Sequence, residues 1–144
     1  MLLLGSSLMA DMNIRYVTVK FLGEEYFKRI SEYFTDVENS SGRAIVRTDP
    51  IVRSGNYFVF DASRSPRHLP TGSKVIVDYV LGEDPQRCSQ TFELSQANPL
   101  ASEYFLGFTT PEWQTSKINS IRAWQIRVVG PDGAVLAQDK SFLF

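Results

Sequence analysis

Apolar and polar positions alternate in the first clearly patterned stretch of the chain. From Asn13 to Leu22, Val17, Val19 and Phe21 take one side, while Tyr16, Thr18 and Lys20 take the other. A period of two is the mark of a half-buried strand. At Gly23 the period changes. Across Glu24–Thr35, Tyr26, Phe27, Ile30, Tyr33 and Phe34 recur at helical spacing, with Glu24, Glu25, Lys28, Arg29 and Glu32 opposite. This predicts an amphipathic helix of about three turns, with its acidic residues at the end where the helix dipole favours them. Residues 36–42 are polar and end it.

Beyond Arg43 the pattern breaks into short apolar runs punctuated by Gly, Pro and Asn. Ala44–Arg47 predicts a brief strand stopped by Pro50. Tyr57–Ala62 is apolar on both faces at first, as expected of a central strand covered from two sides. Residues 63–72 hold two prolines and a glycine and read as a loop. Lys74–Leu81 is rich in β-branched residues and is the clearest strand of all. Ser89–Leu94 follows, with Phe92 and Leu94 facing inward. In Glu103–Phe108, Tyr104, Leu106 and Phe108 share one face. Ile121–Val129 and Ala134–Phe142 predict a hairpin across Gly130-Pro131-Asp132-Gly133, whose residues suit a tight turn. On its first arm Trp124, Ile126 and Val128 alternate with Ala123, Gln125 and Arg127.

About seven or eight short strands and one helix near residues 24–35 predict an all-β fold, an antiparallel two-sheet sandwich. The order of elements is compatible with an immunoglobulin-like or fibronectin-III-like architecture. That likeness is one of architecture alone, because the intersheet cysteine pair of antibody-type domains is absent. A small β-barrel is the alternative, since it produces similar strand spacing.

Composition narrows the function classes. The 144 residues are 43% hydrophobic and 12% aromatic, with a net charge of −1. Ten Phe, six Tyr and two Trp supply the apolar area a folded core needs, which excludes disorder. Near-zero charge argues against a broadly basic nucleic-acid binder. The single cysteine, Cys88, makes no intramolecular disulfide, and with His68 it is too few ligands for structural zinc. No metal or cofactor is expected. Residues 1–12 read as an apolar N-terminal extension or signal remnant, and 13–144 as a single domain. The run Met1–Ala10 resembles the apolar core and small-residue tail of a signal peptide but lacks a basic leading region. That leans toward a secreted or cell-envelope location. The run is too short to span a bilayer as a helix.

Candidate chemistry is sparse. Cys88 and His68 are the one conceivable thiol–imidazole pair, and neither lies in a recognisable nucleophile motif. Asp61 and Asp78 fall inside strands and would form an acid/base pair for glycoside hydrolysis if they faced each other. The stretch 36–39 (DVEN) offers oxygen donors of the kind calcium prefers, without the spacing of a calcium loop. Arg43, Arg47 and Arg53, then Arg64, Arg67 and His68, could gather into a basic patch, although surface pairing is the commoner outcome. Trp113, in the irregular stretch 111–119, and Tyr104 are candidates for a stacking platform. Tyr26 and Tyr33 on the helix are candidates for contact with another subunit.

The reading from sequence is therefore a non-catalytic binding or assembly module mediating protein–protein contacts or self-association. Candidate binding residues are Trp113, Tyr104, Tyr26 and Tyr33. A carbohydrate-binding module built on Trp113 and Tyr104 is the alternative, and a hydrolase built on Asp61 and Asp78 comes third.

Overall fold

The computed structural model describes residues 12–28, 42–82, 86–114 and 121–144. Its elements in chain order are β1 (Ile14–Leu22), α1 (Glu24–Phe27), β2 (Arg43–Arg47), β3 (Gly55–Ala62), β4 (Lys74–Leu81), β5 (Arg87–Glu93), β6 (Glu103–Phe108), β7 (Ile121–Val129) and β8 (Val135–Lys140). Two four-stranded sheets stack face to face, in the orders β1-β3-β6-β2 and β5-β4-β7-β8. Each sheet keeps its own edge strands, so the fold is a sandwich and the barrel alternative is set aside.

Strand alternation sorts the side chains. From the first sheet Phe58, Phe60, Ala44, Tyr104, Leu106 and Phe108 point into the space between sheets. From the second, Val75, Val77, Phe92, Ile126, Val128 and Leu136 meet them. Met12 also joins this core. Residues 1–11, with the apolar run at their head, lie outside the described residues. Trp124 packs against the core from a partly buried position, edge-on to Phe58 at 6.0 Å.

Three expectations need correction or limits. First, one strand pair is parallel: β2 runs alongside β6 in register from Arg43↔Glu103 to Arg47↔Gly107. β1 and β3, and β3 and β6, are antiparallel, so β1 and β2 run the same way at opposite edges of one sheet. A parallel connection cannot be a hairpin and has to cross the sheet. Second, the described helix is a single turn, with acidic Glu24 and Glu25 in it as expected, and Lys28 is already extended (φ −73°, ψ 137°). The rest of the expected helix, 29–35, lies outside the described residues. Third, the period of two in β1 is interrupted. The register shifts between Arg15 and Thr18, and Tyr16 takes a left-handed φ of 61°. The bulge puts Ile14 and then Val17 and Val19 against the core, a change of parity that sequence alternation alone does not show.

The final hairpin forms as expected. Gly133 takes φ 87°, its N–H bonds the Gly130 carbonyl at 3.0 Å, and Asp132 Oδ1 accepts from Ala134 N–H at 3.1 Å. Among the described residues no helix is long and apolar enough to cross a membrane.

Candidate functional site

The least ordinary part of the molecule is the outer face of the first sheet. Residues of β3 alternate, so Tyr57 and Val59 point away from the intersheet core, and Phe105 does the same from β6. These join Leu22 and the fully buried Phe27 of α1 in a second apolar cluster, with Ile45 packed against it. In the run RAIVR of β2, period two sends Ala44 and Val46 inward and Arg43, Ile45 and Arg47 outward. The two arginines therefore close over the aromatic cluster. Arg43 stands 5.1 Å from the Phe105 ring centre and 5.5 Å from that of Tyr26. Arg47 lies 4.7 Å from Phe27, and its Nε donates to Tyr57 Oη at 2.6 Å. The Tyr57 hydroxyl donates in turn to the Arg53 carbonyl. Gly107 makes room for this arrangement, since a Cβ there would sit 2.5 Å from the Tyr57 ring. A guanidinium over a ring face is attracted by the ring quadrupole, and more so when water is excluded.

For Arg43 and Arg47 this geometry replaces both the basic patch and the surface pairing favoured from sequence. Arg43 is buried, and Arg43 and Arg47 belong to an aromatic cluster instead of an open cationic surface. The signal in the sequence was the alternation of RAIVR beside a strand apolar on both faces. What it lacked was the pairing partner that brings the arginines to Phe27 and Tyr57.

The candidate rings separate. Tyr26 stays half-exposed, edge-on to Phe27 at 5.1 Å and 6.1 Å from Phe105. Tyr33 lies outside the described residues. The stacking platform is corrected: Trp113 is 6% exposed and Tyr104 is 0% exposed. Trp113 caps one end of the core, 4.9 Å from Phe108 and 5.8 Å from Tyr79, and its carbonyl accepts from Asn56 Nδ2 at 3.0 Å. Tyr104 stacks on Phe60 at 5.2 Å, and its hydroxyl donates a hydrogen bond to the Arg64 carbonyl at 2.8 Å. Burial pushes its phenol pKa well up. Neither ring has a face free for a sugar.

The carboxylate pair is not assembled. Asp61 lies between inward-facing Phe60 and Ala62, so it points out from the first sheet. Asp78 lies between inward-facing Val77 and Tyr79, so it points out from the second sheet. The two are on opposite outsides of the sandwich. Asp78, 6% exposed, is held by Arg127 through one Nη2–Oδ2 contact of 2.9 Å. Cys88 and His68 are also apart. Cys88 opposes Tyr79 near the far end of β4, whereas His68 lies in the turn Pro66–His68 that precedes the start of that strand. The five residue steps from Lys74 to Tyr79 alone span roughly 17 Å. His68 instead meets Ser65 Oγ at 3.2 Å and Arg67 Nε at 3.3 Å. The Cys88 thiol donates to the Gln86 carbonyl at 3.9 Å, and the phenol of Tyr79 opposite it is pushed up to about 12, first by burial and then by this thiol. The stretch 36–39 lies outside the described residues. Among the described residues no three His, Cys, Asp or Glu side chains gather where they could hold a metal.

The surface carries shallow, open grooves. One of about 350 Å³ runs between Pro66, Leu69, Pro70, Leu94 and Pro99. Another of about 500 Å³ lies beside Asn13, Ser63, Arg64 and His68. Neither brings two carboxylates together. Taken with the fold, these features define an all-β two-sheet sandwich whose one outer face is sealed by aromatic and guanidinium groups. No family model, curated protein or solved structure matches the chain.

Proposed function

We propose that the protein is a non-catalytic binding or assembly module acting through protein–protein contacts. The observation that carries this reading is the setting of Tyr26. Its ring is half-exposed, yet it is braced by Phe27, Phe105 and the Arg43 guanidinium. A ring already held in one orientation loses little freedom on binding, and Tyr and Arg, with Trp, are the residue types enriched at interface hot spots. The separation of Asp61 from Asp78, and of Cys88 from His68, supports the non-catalytic half of the reading.

Replacing Tyr26 with a benzophenone amino acid and irradiating the full chain, alone and in extract of its source cells, tests it. The expected result is a covalent adduct with a defined protein, absent when the same group is placed at Gln138 on the other sheet. Adducts at neither position, or equal labelling at both, overturn the assignment to this face.

A further inference from the structure

The sandwich has four edge strands, and three of them carry features that discourage pairing with another chain. β1 is bulged at Tyr16, where the backbone turns left-handed. β2 is only five residues long. The register of β8 against β7 shifts between Val128 and Val129. Bulges and short strands are usual means of keeping an edge unpaired. β5 has neither, and its charges stand at its ends. It pairs with β4 over seven residues without a register shift, and Ser89, Gln90 and Thr91 occupy its centre. Among the described residues no backbone hydrogen bond from a loop or turn reaches it.

The charges of β5 are also arranged for one kind of partner. Arg87 and Glu93 stand at its two ends, and both point to the outer face, opposite Val80 and Lys74 of β4. When two such strands meet antiparallel about a two-fold axis at Gln90, residue 87 of each faces residue 93 of the other. Both end pairs then join opposite charges. Ser89 meets Thr91 and Gln90 meets Gln90, so no like charges oppose each other. A two-fold contact uses the same patch twice and has to be self-complementary, which this strand is.

We infer that β5 is the site where a second copy of this chain docks, extending the sheet antiparallel across Gln90 with Arg87 and Glu93 as its reciprocal end pairs. The inference rests on the binding reading above and names the partner for a different surface from Tyr26. Sedimentation of the full chain over a range of concentrations is the first measurement, with a reversible monomer–dimer equilibrium expected. Arg87→Glu puts like charges at both ends and is expected to weaken the dimer about tenfold. Adding Glu93→Arg to it restores opposite pairs and is expected to restore the dimer. With Cys88→Ser removing the native thiol, Gln90→Cys is expected to give a disulfide-linked dimer on mild oxidation, because the two substituted positions face each other. A chain that stays monomeric overturns the inference. So does a dimer that ignores the charge reversal, or one in which Gln90→Cys fails to cross-link. A monomer that still gives Tyr26 adducts with another protein overturns β5 docking alone, whereas loss of both overturns the binding reading as well.

Discussion

The two outer faces of this sandwich are made of equally regular strands and are chemically unlike. On the first sheet Tyr57, Val59, Phe105, Ile45 and Leu22 form a second core, capped by Phe27 and crossed by the guanidiniums of Arg43 and Arg47. On the second sheet Lys74, Ile76, Asp78 and Val80 of β4 lie opposite Glu93, Thr91, Ser89 and Arg87 of β5, and the Asp78–Arg127 ion pair stands where the other sheet has rings. Connectivity accounts for the contrast. In the second sheet β4–β5 and β7–β8 are antiparallel sequence neighbours, so their links stay at the ends and cross no face. In the first sheet β1 and β2 are parallel strands at opposite edges, and the link between them begins with α1 on the outer face. Beneath α1 the outer face is shielded from water, which rewards apolar residues, whereas the outer face of the second sheet mixes apolar with charged and polar side chains.

Substitutions on the two faces sharpen or break this account. Phe27→Ala is expected to cost about 3–5 kcal/mol, because it removes a fully buried ring that three aromatic rings and two guanidiniums touch. Its counterpart on the second sheet's outer face, the partly exposed Ile76→Ala, is expected to cost about 1 kcal/mol. Denaturant titration of both variants compares them, and equal losses would remove the distinction between the two outer faces. Gly107→Ala is expected to cost about 1–3 kcal/mol by forcing the Tyr57 ring off its seat. A smaller loss would mean that the ring has room to move.

On the second sheet Arg127→Ala is expected to cost about 1–3 kcal/mol, since it leaves the Asp78 carboxylate buried without its cation. Arg127 Nε already lacks a hydrogen-bond partner among the described residues, so the pair is held through one contact and not a bidentate fork. The double variant Asp78→Leu with Arg127→Met is expected to recover most of that loss, because paired apolar replacements remove both desolvation penalties. If the double variant is worse than the single one, the pair does more than neutralise its own burial. Ser89→Ala, on the same face and exposed, is expected to stay within about 0.5 kcal/mol of the parent chain. Thermal melts resolve that smallest difference.

Much of the fold was legible in the chain because local pattern and local structure agreed. Lys74–Leu81, Glu103–Phe108 and Ile121–Val129 stand where alternation and β-branching put them, and Gly130–Gly133 turns as its residues require. Tyr57–Ala62 read as covered on both sides, and it is, although the second cover is α1 and not another sheet. The candidate site was far less legible. Trp113 and Tyr104 looked available only because a ring in an irregular stretch and a ring on a strand carry no mark of what lies above them. Asp61 and Asp78 sit on strands of two different sheets, so whether they met depended on the stacking of those sheets.

The sequence by itself determined where most strands lie to within a few residues, which residues share a face outside the bulged β1, and that enough aromatic area exists to bury a core. These follow from the two-residue repeat of a strand and from turn chemistry, and both act over a few neighbouring residues. Tertiary structure alone decided that β2 lies parallel to β6, that Arg43 and Arg47 lie over aromatic rings, and that the two aspartates point away from each other. Those outcomes depend on which distant strands pair and on what covers each face. Pairing and cover arise from contacts between residues far apart in the chain, and no local pattern encodes them.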